Sequence, residues 1–351
     1  MTGCPCLRRA PFPYPRSPSV PRSRRIPQTP APSRPTTVFE KTPVGGLFPH
    51  EAEFASNGAR VRYWTYTGRD SRDEDAVMLL VHGFRGDHHG LALIAEALAS
   101  RWDVVVPDLP GFGKSEPLTT REHDVAAYAD VVSDLVQLIG SRPVVLVGHS
   151  FGSVVAAAVA AQRPAPVAGL ALINPICEPA LESSARIPSL AAAAFYRVCA
   201  ALPGRWGNAL VRSSVVTRIS SLLMMKTKDP ELRRFINGQH DAYFGSFASR
   251  TVVLEAYRAS IRDTVRDSAP RVAVPTLLVA AEKDDLGSIP GQESLAQTFP
   301  NARLEVIPDV GHLIHYETPR RAAAMIDGFA DELELAQNGS SPTTRRPEAA
   351  R

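Results

Sequence analysis

Between residues 40 and 335 the apolar positions follow two rhythms. Val77–Val81 (VMLLV), Val104–Val106 (VVV), Val144–Val147 (VVLV) and Leu170–Ile173 (LALI) are short runs that are apolar at nearly every position, as strands buried on both faces are. The stretches around Leu91–Ser100, Val125–Ile139 and Ser153–Gln162 space their apolar residues for helices instead. Arg60–Tyr66 alternates, as an early antiparallel strand does. Strands alternating with helices predict an α/β fold, with a mostly parallel central sheet and helices on both faces. The alternation stops near Pro175. From there to about Asp267 only helical patterns occur, among them SLAAAAFYRVCAAL and SVVTRISSLLMM. It resumes with Thr276–Ala280 (TLLVA) and Arg303–Ile307 (RLEVI), then a helix from about Pro319 to Leu335. The expected organisation is a core of residues 40–174 and 268–335, interrupted by a helical insertion of residues 175–267.

Charge changes the picture at the ends. Residues 1–39 hold seven arginines, ten prolines, no lysine and no acidic residue. They contribute about +7 to a chain whose net is +3, which leaves the rest at about −4. The basic character therefore belongs to a proline-broken tail, expected to be disordered, and no nucleic-acid partner is expected of the body. Residues 336–351 read as a second polar tail. With 44% hydrophobic and 21% charged residues the body has an ordinary globular composition. No apolar run is long enough for a transmembrane helix. The tail lacks the apolar stretch of a secretory signal. Cys4, Cys6, Cys177 and Cys199 have neither zinc-ligand spacing nor a disulfide framework. Free thiols and a cytoplasmic location are the expectation. Nothing in the pattern specifies an oligomer.

One motif carries chemistry. Gly148-His149-Ser150-Phe151-Gly152 lies between the VVLV strand and an Ala-rich helix. A serine hydroxyl needs a base to become a nucleophile, and it must stand clear of the backbone. A sharp strand-to-helix turn exposes it, and only small residues fit two positions to either side. On this motif and its setting the chain resembles the α/β-hydrolase fold family over about residues 39–335, with the helical insertion as its cap.

That resemblance implies roles for further residues. After VMLLV, His82-Gly83-Phe84 stands where the family has an HG-x motif. It implies that the Phe84 and Phe151 N–H groups form an oxyanion hole, with His82 shaping the loop. PDVGHLIHYETP implies His312 as the catalytic base, with His315 the rival three residues on. AAEKDDLGSIP, after TLLVA, implies Asp284 as the acid that orients the histidine, with Asp285 as its neighbour and rival. Asn174 and Glu178, after LALI, are a less favoured alternative. The chain order Ser150…Asp284…His312 is the order expected of the family. PDLPGFGKSEP is glycine-rich but is not a phosphate-binding loop by spacing. Asp87-His88-His89 has metal-binding residue types, but adjacent histidine rings are expected to point apart.

The implied reaction is two-step acyl transfer on a small or medium apolar ester, thioester or lactone, without metal or organic cofactor. Serine at position 150 argues against the aspartate-dependent dehalogenases and epoxide hydrolases of the family. Carbon–carbon hydrolases, lyases and cofactor-free peroxidases share a serine triad and stay open. So does a receptor that keeps the fold, and an interaction role for the Arg/Pro tail. The aromatics and methionines of the insertion, from Phe195 and Trp206 through Met224–Met225 and Phe235 to Tyr257, are expected to be mostly core, with a few lining an apolar pocket.

Overall fold

The computed structural model describes residues 49–339, apart from 70, 72–74, 163–165 and 180–185. The segment 1–39, with Cys4 and Cys6, and residues 340–351 lie outside the described residues. Eight strands form one sheet: β1 (His50–Ser56), β2 (Ala59–Tyr66), β3 (Val77–Val81), β4 (Asp103–Pro107), β5 (Val144–His149), β6 (Val167–Ile173), β7 (Thr276–Ala281) and β8 (Ala302–Ile307). Their spatial order is β1-β2-β4-β3-β5-β6-β7-β8. β1 and β2 pair antiparallel, as do β2 and β4, and every later pairing is parallel.

The all-apolar runs are strands with two buried faces. In β3, Val77, Leu79 and Val81 pack into one core cluster and Met78 and Leu80 into another. The first cluster is closed by α2 (Val125–Ile139) and α3 (Phe151–Ala161), the second by α1 (His88–Leu98) and α11 (Pro319–Gly339). Local chemistry sets the helix ends. Asp124 caps α2 by accepting from the Ala127 N–H at 2.8 Å, and Gly140, with φ at 95°, ends it.

Three elements depart from expectation. β1 was not predicted, because HEAEFAS is polar. It is an edge strand whose outer residues face water. α1 begins at His88, near the Asp87 cap rather than at Leu91, so both histidines lie in its first turn. The last helix, α11, continues to Gly339 and so takes in residues 336–339, which the polar composition had placed in a tail.

Among the described residues, five α-helices stand between β6 and β7: α4 (Arg186–Ala201), α5 (Gly204–Val211), α6 (Ser214–Met224), α7 (Pro230–Tyr243) and α8 (Arg250–Arg262). Cys177 and Cys199 are buried free thiols.

Leu79, fully buried in a central strand, is a direct gauge of this core. Leu79→Ala is expected to cost about 2–5 kcal/mol, read as a lowered denaturant midpoint. A loss under about 1 kcal/mol would mean that β3 is not packed on both faces.

Candidate active site

The parallel strands end along one edge of the sheet, and the loops that leave them converge there. β5 turns directly into α3 through Ser150, whose φ of 53° and ψ of −122° lie outside the regions a side-chain-bearing residue prefers. The turn is held by the Ser150 N–H donating to the Ile173 carbonyl at 3.0 Å and by the Ser153 hydroxyl donating to the Ser150 carbonyl. A Cβ on Gly148 would overlap the Gly152 carbonyl, and one on Gly152 would overlap the Val81 carbonyl. Those two glycines let β5, α3 and the end of β3 close on one another.

His312, in the loop after β8, sets Nε2 2.8 Å from Ser150 Oγ and Nδ1 2.9 Å from Asp284 Oδ2. The carboxylate can only accept, so Nδ1 carries the proton and the Nε2 lone pair faces the serine hydroxyl. Asp284 also accepts from the Leu286 N–H at 2.9 Å, and its side chain is only 2% exposed. Its neighbour Asp285 is 68% exposed and ion-paired with Lys226 from the end of α6. His315 does not reach Ser150; its Nδ1 lies 3.2 Å from His149 Nε2.

The loop after β3 passes so close that a Cβ on Gly83 would lie 3.2 Å from Ser150 Cβ. Among the described residues the N–H groups of Phe84 and Phe151 have no protein acceptor, and both residues line the cavity above Ser150. His82 braces the loop. Its Nε2 accepts from the Leu109 N–H at 2.9 Å, so its Nδ1 donates to the Gly83 carbonyl at 2.8 Å.

Other candidates take different places. Asn174, at φ 45°, is a strut rather than an acid. Its amide donates to the His312 carbonyl at 2.9 Å and accepts from the Ala281 N–H at 2.8 Å, so one side chain ties the loops that carry His312 and Asp284. Glu178 lies 3.6 Å from Arg266 at the cavity wall. In the glycine-rich loop the Asp108 carboxylate already accepts the Lys114 and His88 N–H groups, at 2.8 and 2.7 Å. It fills the place an anion would take.

The expectation that the His88 and His89 rings point apart is not met. In the first turn of α1 their centroids lie 3.8 Å apart, and the ligand-capable atoms of Asp87, His88 and His89 fall within 4.8 Å of one another. Asp87 caps α1 and accepts from His89, His88 Nδ1 bonds Asp108, and Trp64 and Tyr243 stack on the two rings. The trio is thus tied into hydrogen bonds and stacking contacts.

A cavity of about 660 Å³ stands over Ser150, within the range of small-molecule sites. Its floor is the loop 82–87, Ser150 and His312, and its walls come from the insertion: Tyr196, Met224, His240, Tyr243, Phe244 and Tyr257. Arg85 is buried between floor and wall. Its guanidinium donates to the Phe244 and Val211 carbonyls and the Tyr196 hydroxyl, at 3.2–3.3 Å, and sits over the Phe244 ring.

Comparison with known proteins agrees with this architecture. Residues 76–319 match the family model described as alpha/beta hydrolase fold. The chain belongs to the α/β-hydrolase fold family. It is 22% identical over 298 residues to the monoacylglycerol lipase ABHD6 of Mus musculus, covering 80% of this chain and 85% of that one. It is 26% identical over 262 residues to Lipase 3 of Moraxella sp. (strain TA144), covering 73% and 78%. Among solved structures it resembles a bacterial membrane phospholipase A, with a TM-score of 0.64, 25% identity and 82% and 87% coverage. A thermophilic esterase from Thermogutta terrifontis superposes with a TM-score of 0.62 at 24% identity, covering 81% and 99%. No helix among the described residues is long and apolar enough to cross a membrane.

Behind the candidate site lies a cluster that composition did not reveal. His149 Nε2 is 3.3 Å from the His312 carbonyl, which can only accept, so this nitrogen carries the proton and His315 Nδ1 faces it as an acceptor. Burial, then the neighbouring His312, pushes His149 down to about 3. Burial, then His149, holds His315 well below the ordinary value of 6.5. Burial takes His240, whose Nδ1 is 2.7 Å from Ser221 Oγ, down to about 4.

These groups fix the sign of a pH effect. Above about pH 6.5 they are neutral in both folded and unfolded chains, and their environment costs nothing. Below it the unfolded chain takes up protons that the folded chain refuses, so stability falls towards the folded values of about 3 and 4. Denaturant midpoints are expected to drop between pH 7.5 and pH 5, by up to about 1.4 kcal/mol per pH unit for each histidine. His240→Asn should flatten that slope. A wild-type midpoint that rises on acidification would contradict the buried neutral assignment.

Proposed function

We propose that the ester hydrolysis of this α/β hydrolase runs through a Ser150–His312–Asp284 triad and an acyl-enzyme. The observation that carries the reading is the continuous hydrogen-bonded line from Ser150 Oγ through His312 to Asp284, at 2.8 and 2.9 Å. His312 Nε2 takes the hydroxyl proton as Oγ attacks the ester carbonyl. The charge that develops on the carbonyl oxygen is met by the Phe84 and Phe151 N–H groups. Asp284 holds the ring in its reactive tautomer and stabilises the imidazolium. The alcohol leaves with the proton from His312, and water attacks the acyl-serine by the same path in reverse.

The substrate we propose is a carboxylic ester with an apolar acyl chain of medium length. Aromatic and methionine walls from the insertion favour such a chain, and the thioether of Met224 adapts to its shape. The similarity to a monoacylglycerol lipase and a lipase supports a lipid-derived ester over a polar one. The five inserted helices serve as the cap that excludes water above the serine.

Turnover of a p-nitrophenyl ester series tests the assignment. Ser150→Ala is expected to lower kcat by at least about 10⁴-fold, and Asp284→Asn by a comparable factor through the wrong tautomer. Asp285→Asn should stay within about threefold of wild type, its own carboxylate being 68% exposed in its pair with Lys226. Equal losses at 284 and 285, or an active Ser150→Ala chain, would refute the triad.

A further inference from the structure

The outer face of the insertion has an inverted polarity. All nine large apolar side chains that stay exposed among the described residues lie between Leu190 and Phe235. Trp206 and Phe235, from a set of side chains expected to be mostly core, are among them. α6 shows the inversion most clearly. Val215, Ile219, Leu222 and Leu223 recur at helical spacing on its solvent side, with Val215 and Leu223 64% and 63% exposed. Thr217 and Ser221 are buried beneath, at 4% and 1%, and the Ser221 hydroxyl bonds His240. A helix that served only the core of a soluble protein would present the opposite faces.

Charge accompanies this surface. From Arg186 to Lys228 the chain has seven basic residues and no acidic one, within a body whose net charge is about −4. Arg197, Arg205, Arg212 and Arg218 are exposed there; Arg218 pairs with Asp241 of α7. Leu223 also lines the cavity beside Met224, so the cavity reaches the surface within this apolar stripe.

We propose that the face formed by α4, α5 and α6 docks on the surface of an anionic lipid bilayer, with the cavity mouth at Leu223 turned towards it. Apolar side chains among basic ones are the composition of a segment that lies in the interface, the former among acyl chains and the latter against phosphates. A second copy of this chain fits less well, because a two-fold contact sets arginines against arginines. A nucleic acid would meet the charge but leave Trp206 and Ile219 in water. Docking does not rest on the proposed triad; delivery of a lipid ester to Ser150 does.

Flotation of the full chain with vesicles tests this. Wild type and Ser150→Ala should float equally with vesicles of phosphatidylcholine and phosphatidylglycerol. Flotation should be weaker with phosphatidylcholine alone, and weaker as salt rises from about 0.1 to about 0.5 M. The triple variant Trp206→Glu/Ile219→Glu/Leu222→Glu should lose binding by about tenfold or more, with far-UV circular dichroism unchanged. Trp206→Ala/Ile219→Ala, a milder pair, should show a smaller loss in the same direction. The arginines of residues 1–39 are common to all these chains, so the differences report the face alone. No flotation of wild type, or equal flotation of all variants, overturns the proposal. So does a wild-type dimer in gel filtration that the triple variant lacks, if neither binds vesicles; the face would then be a self-contact.

Discussion

At the end of β5 the backbone passes through Ser150 with φ at 53°, a conformation that costs a residue with a side chain on the order of 1–3 kcal/mol. The neighbouring architecture exists to hold it. Ile173 of the adjacent strand accepts the Ser150 N–H, and the Ser153 hydroxyl reaches back to the Ser150 carbonyl. Because the turn is so tight, α3 starts immediately after the serine, so the N–H of Phe151 has no acceptor among the described residues and lies beside the hydroxyl. The same tightness demands glycine at 148 and 152, where any side chain would meet the backbone of α3 or β3.

The parallel sheet supplies the other groups by geometry. The segment that follows β3 carries Phe84, that after β6 Asn174, that after β7 Asp284 and that after β8 His312. Residues separated by up to 228 positions in sequence meet because their strands end along one edge. Asn174 shows how the ends are kept in register: one amide joins the last residue of β7 to the loop that carries His312. Arg85 does similar work upward, joining the floor of the cavity to three segments of the insertion.

The periodic elements were legible in the chain because their residues say where they lie. Val125–Ile139 has an aspartate cap, a helical apolar stripe and a terminal glycine, and it is a helix over those residues. VMLLV and VVLV are apolar on both faces and have two buried faces. β1 was not legible, since an edge strand of mixed polarity looks like a loop. Spacing alone left Asp284 and Asp285 open. What separates them is tertiary: the turn after β7 directs the first to His312, while Lys226, 59 positions before Asp285 in sequence, draws the second outward. The buried His149–His315 contact and the inverted polarity of α6 were hidden for the same reason. Both depend on which face of an element meets its neighbour, and composition is blind to that.

Ser150 is proposed as a nucleophile activated by His312, with the Phe84 and Phe151 amides placed to receive the oxyanion. The most direct test is intact-mass and peptide mass spectrometry after incubation with a fluorophosphonate. One adduct per chain is expected, located on Ser150 and abolished by Ser150→Ala. A chain that hydrolyses esters yet remains unmodified, or carries its adduct on another residue, would contradict it.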